Sequence, residues 1–174
     1  VTPARVGLIG LLLALAVVLQ TAVLSRIPFP RATPDLVLLV VVGIALVLGP
    51  SGGAAAGFTG GLMLDLAPPA FGAIGRWALV LCLVGWAAGR LSDTVDRSVF
   101  LPLAIVAGCS IVALSAYAAV GWLTGDSRVR SGVLTSALPS AVLYDVLLTP
   151  FVVPGVMWLV KRLRPTATYA RTVR

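Results

Sequence analysis

The sequence predicts an all-α, polytopic transmembrane bundle of six helices, and three observations carry that prediction. The 174 residues are 59% hydrophobic and 11% charged, with a mean hydropathy of +1.07, far from the near-even apolar and one-quarter charged make-up of water-soluble domains. Apolar runs approaching or exceeding the ~20 residues needed to cross a ~30 Å hydrocarbon core recur along the chain, separated by short polar gaps. The longest polar stretch, Lys161 to Arg174, is too short to fold alone, so residues 1–174 read as a single integral membrane domain.

Proline, glycine and charge punctuation place the helices at about 6–25, 35–49, 53–67, 75–91, 99–123 and 133–160, with a basic cytoplasmic tail at 161–174. The first, Val6 to Leu24, is long for the apolar part of a signal peptide and lacks a small-x-small cleavage site before Arg26, so it reads as a retained helix. Thr33-Pro34-Asp35 opens the second, with Thr as N-cap, Pro in the first turn and Asp against the positive helix end. Pro50-Ser51-Gly52-Gly53 makes a tight turn into the third. At about 15 residues, roughly 22 Å, the second and third helices are short for a crossing. Reading them as re-entrant removes two crossings together and leaves both termini on one side. In the last helix, Pro139, Pro150 and Pro154 bracket Asp145 and predict kinks.

With the N-terminus cytoplasmic, the inner side carries Arg5, Arg90, Arg97, Lys161, Arg162, Arg164, Arg171 and Arg174, against Arg26, Arg31, Arg76, Arg128 and Arg130 outside. Eight against five favours both ends inside. The cluster Lys161-Arg162-Leu163-Arg164 is suited to anionic lipid headgroups, and the net charge of +7 therefore gives no reason to invoke nucleic acid. Trp77, Trp86, Trp122 and Trp158 fall near helix ends, where interfacial anchoring accounts for them.

Few residues have the chemistry for a site. Gly49, Gly53, Gly57 and Gly61 recur every four residues and Asp65 continues their stripe, a Cβ-free face on which another helix can approach closely. Gly85 and Gly89 form a second, shorter pattern of this kind. Filling by a helix of the same bundle is expected ahead of a partner's helix. Asp65 and Arg76 face each other across the loop 67–75, close enough for a structural ion pair. Asp145, near the middle of the last helix, is the best candidate for a functional polar group, its alternative being a hydrogen-bonded carboxyl that ties helices together. The chain has no His, which excludes a serine-histidine enzyme. Cys82 and Cys109 lie in separate apolar runs and give no metal-ligand spacing. No Gly-rich loop followed by Lys supplies a nucleotide site, and an intramembrane aspartyl protease lacks its Gly-x-Gly before the aspartate. No enzyme, cofactor or metal is expected.

The order Leu19-Gln20, Pro34-Asp35-Leu36-Val37-Leu38-Leu39, Gly57-Phe58, Gly61-Leu62, Leu64-Asp65 and Gly72, closed by the basic Lys161-Arg162-Leu163-Arg164, resembles the rod shape-determining MreD family of bacteria. The resemblance is concentrated in 34–91, and Asp145 departs from it, standing where an Asn is expected. It implies a non-enzymatic scaffold of the inner (cytoplasmic) membrane, supporting cell shape and peptidoglycan synthesis in the elongation complex. The implied partners are a bitopic MreC-like protein, an MreB-like actin homologue, and RodA with its transpeptidase. Gly53, Gly57, Phe58, Gly61, Asp65 and Gly72 then become the packing or partner interface.

That family is similar in fold to the six-helix S-components of energy-coupling-factor vitamin transporters, which supply the alternative function, binding of a small molecule. A vitamin site needs convergent polar groups around a pocket of ~300 Å³ or more, and this sequence is poor in them. Its first helix also lacks the Ala-x-x-x-Ala face with which S-components dock their coupling subunit, since Val18 follows Ala14 and Gln20 follows Ala16 at that spacing. On these grounds the scaffold is the expected reading.

Overall fold

The computed structural model describes residues 3–27, 32–68, 74–97, 100–123 and 133–162, apart from the side chains of 95–97 and 133–137. Gly72 and the tail beyond Arg162 lie outside the described residues. The described chain is all helical, with five α-helices: α1 Pro3–Val18, α2 Leu36–Leu66, α3 Arg76–Arg90, α4 Leu101–Leu123 and α5 Val133–Arg162. A π-helical turn, Leu19–Val23, and a 3₁₀ turn, Leu24–Arg26, extend α1, and a second 3₁₀ turn, Ser92–Arg97, joins α3 to α4. By length and apolar composition four segments can cross a membrane: Pro3–Arg26, Leu36–Leu66, Leu101–Leu123 and Leu138–Arg162.

Six separate helices are therefore a miscount. The two expected at 35–49 and 53–67 form the single element α2, broken at one residue, Gly49, whose φ of 76° and ψ of −170° are non-helical. Glycine adopts positive φ without the Cβ penalty, and Pro50 needs no hydrogen-bond partner at the start of a new helical stretch. No loop is required, and the chain folds back on itself. A Cβ placed on Gly60 would lie 3.2 Å from Val37 Cγ1 and 3.6 Å from Val41 Cγ2, and one on Gly53 would lie 2.6 Å from Ala45 Cβ. Those contacts are impossible along a straight helix, where 19 or 23 residues correspond to roughly 30 Å and the eight from Ala45 to Gly53 to about 12 Å.

The first arm of α2, 36–48, is the centre of the bundle, with every residue from Val37 to Val47 buried, as a helix that is apolar all round requires. Leu38, Leu39, Val41 and Ile44 on this arm, Leu13 on α1, Leu81 on α3, Val106 on α4 and Val153 on α5 are all at most 1% exposed. The second arm, 50–66, lies against α3 with backbone almost touching backbone. A Cβ on Gly53 would overlap the Gly85 carbonyl, one on Gly57 the Leu81 carbonyl, and one on Gly61 the Trp77 carbonyl, while Gly89 faces the Gly49 backbone. The paired numbers rise on one strand of this seam as they fall on the other, so arm and α3 run antiparallel. The glycine stripe is occupied from within the chain. Phe58, on the outer side of the same arm, is 52% exposed.

This topology places the end of α1, the start and finish of α2, the start of α3 and the finish of α4 at one end of the bundle. The Gly49 reversal and the α3–α4 turn lie at the other.

A candidate site at the capped end of the bundle

Two helix N-termini are buried at the first of these ends, and each leaves backbone N–H groups that need acceptors out of reach of water. For α2 the acceptors come from three places. Asp35 Oδ1 accepts from Leu38 N–H at 3.0 Å, Gln20 Oε1 from Val37 N–H at 3.0 Å, and Asp145 Oδ1 from Asp35 N–H at 2.7 Å. Gln20 sits in the π-helical turn that ends α1, a widened turn of the kind often found at functional positions. Asp145 is 2% exposed, and its second oxygen accepts from Ser110 Oγ on α4 at 2.7 Å. Its own carbonyl accepts from Thr149 Oγ1 at 2.7 Å. The carboxylate thus joins the start of α2 to the middle of α4.

For α3 a single residue suffices. Asp65, 9% exposed, accepts from Gly75 N–H at 2.9 Å and Ala78 N–H at 3.1 Å through Oδ2, and from Trp77 N–H at 3.2 Å through Oδ1. Gly75, with a φ of 96°, turns the chain into that helix. Arg76 is buried and sends Nε 3.0 Å to the Tyr117 carbonyl of α4, with Nη2 donating to the same oxygen. Its guanidinium lies 3.5 Å above the Tyr117 ring, and Trp77 stacks on that ring with centroids 4.4 Å apart. Asp65 and Arg76, expected to pair across their loop, thus secure α3 through its N-terminus and through α4 respectively.

Ser110 and Tyr117 are seven residues apart on α4, two turns or roughly 10 Å, so the two polar clusters lie along one helix. Asp145 is twelve residues into α5, about 18 Å from its start, and Ser110 is similarly deep in α4. α2 therefore begins well below the ends of α4 and α5, inside the bundle. Among the sequence-predicted residues, the structure brings Asp65 and Arg76 to one corner and Asp145 to the start of α2, whereas Gly53, Gly57 and Gly61 form the seam with α3. Gln20, Ser110, Trp77 and Tyr117 were not singled out as site residues. Gln20 alone had a clear cue, as the one amide in an apolar run. Among the described residues no three His, Cys, Asp or Glu gather as a metal site.

Residues 2–161 match a family model described as ECF-type riboflavin transporter, S component. No curated protein and no solved structure matches the chain. The family match overturns the resemblance to MreD, and with it the cell-shape scaffold, the peptidoglycan role and the MreC, MreB and RodA partners. The physical reason lies in what the resembling residues do. Asp35 and Asp65 cap helices, and Gly57 and Gly61 let backbones meet, devices that specify a bundle and leave its task open.

Proposed function

Since the chain belongs to the family of S components of ECF-type riboflavin transporters, we propose that it is the substrate-binding membrane subunit of such a transporter, with riboflavin as substrate. The observation that carries this reading is the extent of the family match, which takes in α1 to α4 whole and all but the last residue of α5. The fold supports it. The described chain is all helical with four segments able to cross a membrane, and we take both ends of the chain to be cytoplasmic from the eight-to-five distribution of basic residues. The protein performs no reaction of its own and works with an energy-coupling module whose ATPases supply the driving force.

We place the substrate above the recessed start of α2. Gln20, Asp35, Ser110 and Asp145 form the polar floor, and the half-buried rings of Trp77 and Tyr117 offer aromatic surface to a tricyclic ring. The scarcity of polar groups read from the sequence is relieved by concentration, since the polar residues of four elements converge at one end. The docking surface need not be an Ala-x-x-x-Ala face. On α1 the Cβ positions of Gly7 and Gly10 have nothing within 4 Å, and this bare face is where we expect the coupling subunit to approach.

Titration of the purified protein with riboflavin tests the reading directly. Binding quenches flavin fluorescence with one site per chain, and Tyr117→Ala weakens it about tenfold, the loss of one aromatic contact. A protein that is folded by circular dichroism, yet leaves riboflavin fluorescence unchanged and fails to restore riboflavin uptake when supplied with its coupling module, would refute it.

A further inference from the structure

Two of the helices end in the same way. On α3, Arg90 lies one turn beyond Trp86 and holds its guanidinium 4.3 Å above that ring. On α5, Arg162 lies one turn beyond Trp158, with its guanidinium 5.0 Å above that ring. Both distances are within the range of cation–π attraction. In each helix the arginine is the last residue, and the ring sits four residues, roughly 6 Å, short of the end. The two ends share one side of the bundle. Gly89 faces the Gly49 backbone, and α5 runs from Asp145 at the start of α2 to Val156 beside Gly43, on the arm that leads to Gly49. Arg90 and Arg162 therefore both stand on the side of the Gly49 reversal.

All four side chains are exposed, Trp86 by 44% and Trp158 by 58%, so neither pair belongs to the core. Among the described residues neither guanidinium has a hydrogen-bond or ion-pair partner. A cation at a helix C-terminus meets the negative end of the helix dipole, a task that lysine performs as well as arginine. Stacking is what singles out arginine: the ring covers one face of the planar group and leaves its N–H edges for a bidentate contact with an oxyanion. Exposed indoles near the ends of membrane helices sit at the level of the lipid headgroups, where the abundant oxyanion is the lipid phosphate. Lys161, exposed beside Arg162, adds positive charge that draws anionic lipid.

We propose that Trp86–Arg90 and Trp158–Arg162 are two headgroup sites, each holding the phosphate of one anionic phospholipid in the leaflet that meets this end of the bundle. The indole fixes the guanidinium at phosphate height and turns a general attraction into a built contact. Both sites are independent of the identity of the transported substrate.

The test uses the full chain reconstituted in phosphatidylcholine vesicles with acyl-chain spin-labelled phosphatidylglycerol or phosphatidylcholine. About two phosphatidylglycerol molecules per chain are expected in the motionally restricted component, held about tenfold more tightly than phosphatidylcholine. Arg90→Lys and Trp86→Leu each remove one of them, Arg162→Lys and Trp158→Leu each remove the other, and the double variant Arg90→Lys/Arg162→Lys removes both. The arginine and tryptophan variants of a pair read the same site, so a loss of helical circular dichroism in one leaves the other to decide. Equal retention of the two lipids would overturn the proposal. So would a phosphatidylglycerol count unchanged by these variants, since lysine keeps the charge and the preference would then be bulk electrostatics. Efficient crosslinking of Trp86→Cys and Trp158→Cys to a second polypeptide in native membranes would overturn it as well, because the guanidinium groups would then face protein carboxylates.

Discussion

The two sides of α3 are built on opposite plans. Toward α2 it presents Gly85 and Gly89, so close to Gly53 and Gly49 that a methyl group on either α3 glycine would overlap the facing backbone. Toward α4 it makes firm contact near Arg76, Trp77 and Tyr117, then diverges to leave a cleft of about 400 Å³. Lipid tails are as apolar as leucine, so burial gives little drive for one helix to choose another within the bilayer, and van der Waals fit and hydrogen bonds decide. The glycine seam supplies the first without slack, making the α2–α3 pair a rigid block. The cleft leaves α3 and α4 without close packing against each other along half their length, while α4 stays bound to α5 through Ser110 and Asp145.

The sharpest way to break this contrast is to place a methyl group in the seam. Gly57→Ala drives a Cβ into the Leu81 carbonyl, and backbone on both sides cannot yield as a side chain would. A destabilisation of about 3 kcal/mol is expected, seen as a large fall in the thermal midpoint in detergent micelles. A midpoint within error of the parent would mean that the two backbones do not meet.

Next in size is the cap that fixes α3 at its firm end. Asp65→Ala leaves the N–H groups of Gly75, Trp77 and Ala78 without their described acceptor, at a cost of about 2 kcal/mol. Asp65→Asn, which keeps one oxygen, costs about half as much. Equal loss for both replacements would assign the effect to packing and remove the cap from the argument. At the other polar cluster, Asp145→Asn preserves an oxygen for Asp35 N–H and lets its amide donate to Ser110 Oγ, so only about 1 kcal/mol is lost. Hydrogen exchange at the start of α2 reads this locally: Asp145→Leu should expose those amides, and Asp145→Asn should protect them nearly as well as the parent.

Much of this architecture is legible in the sequence, and the illegible part has a common cause. The spacing of Gly49, Gly53, Gly57 and Gly61 marks a face without Cβ atoms, but the helix that fills it is set by a reversal at one residue. Sequence shows Gly49-Pro50 and is silent on whether φ there is −60° or the observed 76°. Asp35 is recognisable as an N-cap because its acceptor role is local, three residues from Leu38. Asp145 acts on a backbone 110 residues away, and no local pattern encodes such a distance. The family error has the same origin. Caps and close-packed glycines are the most visible features of this chain, yet they report how helices are joined. What distinguishes a transporter subunit from a scaffold is where the remaining polar groups converge, and that depends on long-range pairs such as Ser110 with Asp145 and Arg76 with Tyr117.

The smallest predicted effect is the most discriminating, because it reverses sign. Gly108→Ala is chemically the same change as Gly57→Ala, a single methyl group in the middle of a transmembrane helix. At Gly108 the methyl group projects into open space in the cleft, so no overlap opposes the lower backbone entropy that alanine brings to a helix. A gain of about 0.5–1 kcal/mol is expected, measurable as a modest rise in the same thermal midpoint. A loss comparable to that at Gly57 would mean that α4 closes on α3 in the folded protein. In that case the two sides of α3 would be alike, and the cleft would disappear.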